Sequence, residues 1–371
     1  MDFNNQDSLY KLALNMIPGI GNAGVRKIVS GAESEQHFFE NLDYYVETKL
    51  ISQNIANVIQ TNNILDLAKV QIETCLKHHI KASYYLDNDF PRKLAQCEDA
   101  PTMLFSYGTL NFDTSRTVGI VGTRMSDADG KTNIFNLVEG LKNDNINVII
   151  ISGLAAGADT YAHQAALKFG VPTAAVLGHG LNMVYPAENR KLAGDIVHNN
   201  GALVTEYYYG RPVNKANFPC RNRIIAGLCD ALIVAQSKIK GGALITAEDA
   251  AEYKREVFAF PGRISDKLYA GCNYLISNNK ATLVTSAADL ERSMGWQSNS
   301  NKTATQASLN LVPLTPDEIK VIDTLRSEGQ LYIDILSIKT GIPMAKLSSL
   351  LLMMEFKDLI NSYPGKKYEA R

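Results

Sequence analysis

The chain has 371 residues, more than one core comfortably holds, so two or three domains are expected. Its 46% hydrophobic and 20% charged residues give a globular composition, and neither a bilayer-spanning apolar run nor a signal-peptide pattern in "MDFNNQDSLYK" is visible, so a cytoplasmic protein with no membrane partner is expected. A net charge of −1 argues against an overall basic coat for nucleic acid, and five scattered cysteines without a C-x-x-C pair argue against a disulfide frame or a metal site.

Residues 1–75 read as short helices forming a small helical domain of the helix-hairpin-helix or SAM-like kind. In "NMIPGIGNAGVRKIVSG" (15–31) the glycines Gly19 and Gly21 permit a tight turn between two apolar helical patterns. Such a turn can face a DNA backbone, but residues 1–115 carry 9 Lys/Arg against 14 Asp/Glu, so a packing hairpin is the preferred reading. Residues 76–115, with Pro91 and Pro101, read as a connecting segment. From Thr117 the pattern changes to short β-branched runs: 117–122, 147–153, 173–178, 202–206, 231–235, 256–262 and, more weakly, 281–285. Helical stretches at 129–143, 158–169, 186–199, 217–228 and 243–254 separate them. That alternation predicts an α/β core over 116–292, an extended Rossmann-like, mostly parallel sheet. Residues 293–310 read as a polar linker. Residues 311–371, opening at Thr315-Pro316 and turning at Gly341-Ile342-Pro343, read as a C-terminal winged helix.

Ligands of such sheets sit at the carboxyl ends of the strands, and several strand ends here carry anion chemistry. "GIVGTR" supplies Gly122, Thr123 and Arg124; it is not G-x-G-x-x-G, and no acid closes the second strand to hold a ribose, so a dinucleotide cofactor is not expected. "SGLAAGADTYAHQAAL" places Asp159 and His163 one helical turn apart, read as a packed, hydrogen-bonded structural pair rather than a catalytic one. In "LGHGLNMVYPAENRKLA", His179 reads as a loop histidine and Glu188 and Asn189 as bracing residues. "VNKANFPCRNRIIAGL" sets Lys215, Arg221 and Arg223 around Asn217 and Phe218. Residues 211–240 hold 6 Lys/Arg against 1 acid, and an aromatic among cations suits a stacked base between phosphates. "KGGALITAED" begins a helix with Gly241 and Gly242, a second phosphate-binding geometry.

Together "IVGTR", "ISGLAAGADTYAH", "AVLGHGLNMVYPAENRKLA", "GALVTEY", "NFPCRNRIIAGL", "GGALITAEDA" and "VFAFPG" resemble the DNA-processing protein A family (DprA, also called Smf) across about residues 80–292. The resemblance implies a non-enzymatic homodimer that binds single-stranded DNA, protects incoming strands in natural transformation and loads the RecA recombinase. Carried over by motif, its DNA contacts would be Thr123, Arg124, Lys215, Phe218, Arg221 and Arg223. The family often has Ser-Gly-Ser where this chain has Gly241-Gly242-Ala243, which loses a hydroxyl there. Two other readings compete. A nucleotide N-glycosidase would use "GGALITAED" with Thr246 and Glu248, although the preceding proline and a third glycine of that site are missing. A sequence-specific regulator would use the winged helix, whose charges balance at 8 against 8.

Overall fold

The computed structural model describes residues 1–113, 115–296, 315–356, 359–363 and 365–370. The described residues form two compact units, 1–296 and 315–370.

The first unit is built on a nine-stranded sheet: β1 (Lys81–Tyr84), β2 (Met103–Gly108), β3 (Arg116–Val121), β4 (Val148–Ser152), β5 (Thr173–Leu177), β6 (Ala202–Thr205), β7 (Ala231–Val234), β8 (Glu256–Ala259) and β9 (Thr282–Leu283). Their spatial order is β1-β2-β6-β5-β4-β3-β7-β8-β9. The strands β3 to β9 all pair in parallel and match the seven β-branched runs of the sequence. The strands β4 and β5 are buried along their whole length, as a parallel sheet covered on both faces requires, and so read as unbroken apolar runs. The chain lays β4, β5 and β6 to one side of β3, then returns to lay β7, β8 and β9 on the other. The carboxyl end of β3 is therefore a topological switch point.

The segment expected to be a connection, 76–115, is part of this sheet instead. Its strands β1 and β2 pair antiparallel with each other, and β2 pairs antiparallel with β6. Pro91 and Pro101 fall outside the strands: Pro91 precedes the short helix Arg92–Ala95, and Pro101 lies just ahead of β2. Six helices cover residues 6–77, and their core of Leu12, Leu14, Phe38, Tyr45 and Ile64 closes over Ala82, Tyr84, Met103 and Phe105 of the antiparallel edge. Gly19 turns the 15–31 hairpin at φ +83°, and Asn22 at the next helix start binds it inward: its Oδ1 accepts from the Thr102 N–H at 3.0 Å and its Nδ2 donates to Glu206 at 3.2 Å. Those bonds favour the packing reading of the hairpin.

The region expected to be a linker begins later than 293. The helix Ala287–Met294 continues into it, and Trp296 is buried with the Arg116 guanidinium 5.5 Å from its ring. The rest of that stretch, 297–310, lies outside the described residues.

The second unit holds the helices Pro316–Glu328, Ile333–Thr340 and Met344–Phe356 and the strands β10 (Leu331–Tyr332), β11 (Ile360–Tyr363) and β12 (Lys367–Ala370), ordered β10-β12-β11. A reciprocal cap between Thr315 and Glu318 starts its first helix, Gly341 ends its second in the left-handed region, and Val321, Leu325, Leu336, Leu347 and Leu351 form the core. This is a winged helix.

Candidate nucleic-acid interface

A cavity of about 530 Å³ opens at the switch point, at the carboxyl ends of β3, β4 and β7. Three helices begin beside it without a side-chain cap: Ala158–Lys168, Asn217–Leu228 and Gly242–Glu252. The first N–H groups of two of them are largely taken: Ala158 and Thr160 donate to the Thr123 and Ala155 carbonyls, Asn217 and Phe218 donate to the Asn214 and Lys215 carbonyls, and Pro219 has none. What the three ends share is the partial positive charge of a helix amino end, and its convergence favours an anion. The lining side chains agree: Arg124, Arg221, Lys238 and Lys240 are set against a single carboxylate, Asp159. A larger cavity of about 1070 Å³ elsewhere in the unit is lined by Glu98, Asp99, Asp249 and Glu252 as well as by four cations, and offers an anion no such net attraction.

The loop after β3 is held rigidly. Gln236, just past β7, accepts the Thr123 N–H on its backbone carbonyl at 2.8 Å. Its side chain accepts from the Ser126 hydroxyl at 2.6 Å and donates to Asp127 at 2.8 Å. Gly122 is required for packing: a Cβ there would lie 2.6 Å from Ala158. Thr123 lines the cavity, but its N–H is already used and its hydroxyl accepts from the Met125 N–H at 3.2 Å. Arg124 is exposed, its guanidinium carbon 5.6 Å from the centre of the half-buried Phe218 ring. Phe218 in turn lies 5.5 Å from Tyr185, and a Cβ on Gly178 would touch it at 3.2 Å. The Arg124 guanidinium lies over the Phe218 ring and Tyr185 packs near it, so a cation and aromatic rings are held together, a combination that suits a base and its phosphate.

The remaining predicted residues divide. Gly241 and Gly242 open an uncapped helix on the cavity wall, as expected. Ser237 Oγ lies 2.2 Å from where a Gly241 Cβ would stand, so a side chain at that position would have to displace it. Lys215 is exposed just before its helix, and Asn217 is structural, its Nδ2 donating to the Gly178 carbonyl at 3.1 Å. Arg221 needs correction. It is 3% exposed, forms the cavity floor, and donates from Nη1 to the Gly153 and Val176 carbonyls. It supplies positive potential from below rather than a free fork of donors. Burial raises the pKa of neighbouring Asp159, against the opposing pull of Arg221 and the Ala155 N–H. Arg223 also needs correction. Two positions along a helix from Arg221, it points to the opposite side and pairs with Glu206 at 2.5 Å and Asp99 at 3.8 Å. Both acids lie outside the 211–240 stretch, so counting only the acids within it made the arginine look unpaired.

Sequence reasoning missed Lys238 and Lys240, both exposed on the cavity wall; "SKIKGG" carried that signal. It also missed Gln236, which nothing in the sequence marks. Asp159 and His163 are both buried but not bonded to each other: Asp159 accepts from Ala155 N–H at 3.3 Å, and His163 Nδ1 lies 2.8 Å from the Thr173 hydroxyl. Burial lowers the His163 pKa to about 3. His179 is buried in its loop, within 3.0 Å of the Gly180 carbonyl, and Asn189 braces the Leu154 carbonyl at 2.8 Å. Glu248 is exposed and 3.6 Å from Lys280; it does not line the cavity. Among the described residues no cluster of His, Cys, Asp and Glu could hold a metal, and no single helix is long and apolar enough to cross a membrane.

Residues 81–295 match the family model for DNA recombination-mediator protein A, more than half of the chain. The chain belongs to this family. Residues 305–366 match the DprA winged helix domain. DNA processing protein DprA of Streptococcus pneumoniae is 44% identical over 205 residues, 55% of this chain and 71% of the relative. Protein Smf of Escherichia coli is 30% identical over 334 residues, 86% of this chain and 87% of the relative. Among solved structures, the X-ray structure of DprA from S. pneumoniae aligns with a TM-score of 0.60 at 34% identity, covering 76% of this chain and 97% of that one. DNA processing protein A from Helicobacter pylori, described for its single-stranded DNA binding mode, aligns with a TM-score of 0.52 at 27% identity, over 60% of this chain and 99% of that one. Within the DNA recombination-mediator protein A family, the switch-point cavity is this chain's candidate site.

Proposed function

We infer that the chain binds single-stranded DNA across the carboxyl ends of β3, β4 and β7, and that it does no chemistry on the strand. The observation that carries this is an exposed cation, Arg124, beside the half-buried Phe218 ring, at the rim of a cavity where three uncapped helix ends and two further exposed lysines meet. Phosphates take Arg124, Lys215, Lys238, Lys240 and the Gly242 helix end, and a base stacks on Phe218. Four cationic contacts at about −0.7 each give a log–log salt slope of about −3 on single strands. In the cell this binding protects incoming strands in natural transformation and recombination and presents them to RecA in the cytoplasm. These parts of the reading, and homodimerisation, are supported by family membership. Two grooves on one strand would add avidity without new contacts. A dimer face at the end of the sheet would use the exposed Leu283 on β9, whereas Leu275 and Leu290 are buried.

A nucleotide N-glycosidase built on this motif would need Glu248 to face the cavity near the Gly241-Gly242 turn. Glu248 faces Lys280 instead, so the partial motif is its main support. A gel shift with single-stranded, duplex and mononucleotide competitors, run beside a base-release assay, separates the two. Preferred competition by single strands with no free base is expected. Duplex preference, or base release abolished by Glu248→Gln, would overturn the reading.

A further inference from the structure

Outside the cavity, the helices Ala128–Asn143 and Ala158–Lys168 pack side by side and both start at its rim. The groove between them holds a cluster that the site described above does not use. Lys131 Nζ lies 5.5 Å from the Phe135 ring centre and 5.4 Å from that of Tyr161. Lys168 Nζ lies 5.4 Å from Phe135 and 4.8 Å from Phe169, and the two phenylalanine rings meet edge to face at 6.2 Å. The helical period explains the alignment. Residues 131 and 135 are four apart, and 161 is seven and eight before 168 and 169, so both helices turn the same stripe toward their shared groove. Lys131 and Lys168 are exposed, Phe135, Tyr161 and Phe169 are half-buried, and neither lysine joins any of the ion pairs among the described residues. On the first helix Asp127 stands one turn before Lys131 and Glu139 one turn past Phe135, at the two ends of the stripe.

Cations held over half-buried rings and left without carboxylate partners are what a strand of nucleotides needs: flat faces for bases and charges for phosphates. The track begins one turn into each helix and ends four residues on, at Phe135, along the first and eight residues on, at Phe169, along the second. At 1.5 Å per residue the longer run is about 12 Å, or three to four nucleotides at the ~3.4 Å spacing of a stacked strand. The charge and the continuity with the cavity both point to the same strand as occupant.

We propose that single-stranded DNA leaving the cavity runs along this groove, its bases on Tyr161, Phe135 and Phe169 and its phosphates on Lys131 and Lys168. The proposal rests on the single-strand reading of the cavity, and the test separates them. Full-length protein carrying Lys131→Gln and Lys168→Gln is titrated with thymidine oligonucleotides of about 4 and about 12 nucleotides, within the range of single-strand site sizes, beside Arg124→Ala. Loss of two contacts lowers the salt slope for the long strand by about 1.4, or about 25-fold in affinity at 0.1 M salt, and leaves the short strand unaffected. Emission added by Tyr161→Trp is quenched by the long strand only. Unchanged long-strand binding in the double variant, an equal loss on both lengths, or a Tyr161→Trp signal blind to the long strand overturns the track, and would leave the cluster as rings shielded by lysine stems or as a protein-docking face. Arg124→Ala binding both lengths normally would instead overturn the cavity reading.

Discussion

Arg124 and Arg223 are both charged residues of the strings that suggested a DNA site, and the structure gives them opposite fates. Arg124 is exposed and joins none of the ion pairs among the described residues, so Arg124→Ala removes no buried contact and should change stability by no more than about 0.5 kcal/mol. It should remove one phosphate contact: the salt slope falls by about 0.7, and affinity at 0.1 M salt falls about fivefold, or about 1 kcal/mol. Arg223 has a 13% exposed side chain and faces Glu206, itself 10% exposed, at 2.5 Å. Arg223→Ala leaves that carboxylate the Asn22 amide but no counter-charge in a low-dielectric site, a loss of about 3–5 kcal/mol for a broken buried pair. Its salt slope should stay at the wild-type value. Fluorescence anisotropy of a labelled thymidine oligonucleotide across a salt series, paired with thermal melting of each variant, reads both quantities. An Arg223→Ala protein that melts normally but has a flattened slope would put Arg223 on the DNA and refute the ion-pair assignment. An Arg124→Ala protein with an unaltered slope would take Arg124 off it.

Phe218→Ala should remain folded, since the ring is only half-buried, and should lose about 1–3 kcal/mol of single-strand affinity; an unfolded circular dichroism spectrum would make the ring a core residue. Glu248→Gln should bind DNA like wild type and release no free base from nucleoside monophosphates, because the carboxylate lies beside Lys280; hydrolysis that disappears in this variant would establish the enzyme. Burial, together with Asp99, Glu252 and Glu248, raises the Asp249 pKa to about 6. The fold therefore favours protonated Asp249, and that contribution is complete below about pH 4 and lost as pH rises through about 6. Asp249→Asn should melt above wild type at pH 7.5 and level with it at pH 4; a gain that persists unchanged at pH 4 would point to a cause other than titration.

The parallel part of the fold was legible because buried strands write themselves as β-branched runs: β3 to β9 fall on the seven runs, and the helix Asn217–Leu228 has the bounds expected for it. The strands β1 and β2 were not, because "KASY" and "MLFSYG" lie among prolines and pair antiparallel at the sheet edge, where nothing local announces a partner as distant as β6. Placement at the strand ends was legible where it is local, as for Arg124 after β3 and the helix start at Gly241-Gly242, which both line the cavity. It was misread where three-dimensional placement decides. Arg221 and Arg223 look alike in a charge count, yet a helix sends one beneath the cavity and the other to Glu206. Gln236 organises the first loop through bonds to residues more than a hundred positions away, a role without any signature in sequence.

The central claim is that a single strand lies across the carboxyl ends of β3, β4 and β7 with a base on Phe218. Photocrosslinking a thymidine strand carrying one 5-iodouracil to the full-length protein, followed by mass spectrometry of the adduct peptides, tests it most directly. Adducts should fall on Phe218 and Tyr185 or on the neighbouring segments 122–125 and 237–243, and Phe218→Ala should abolish the first of them. Adducts confined to the winged helix, residues 315–370, would contradict the account and move the DNA site to the second unit.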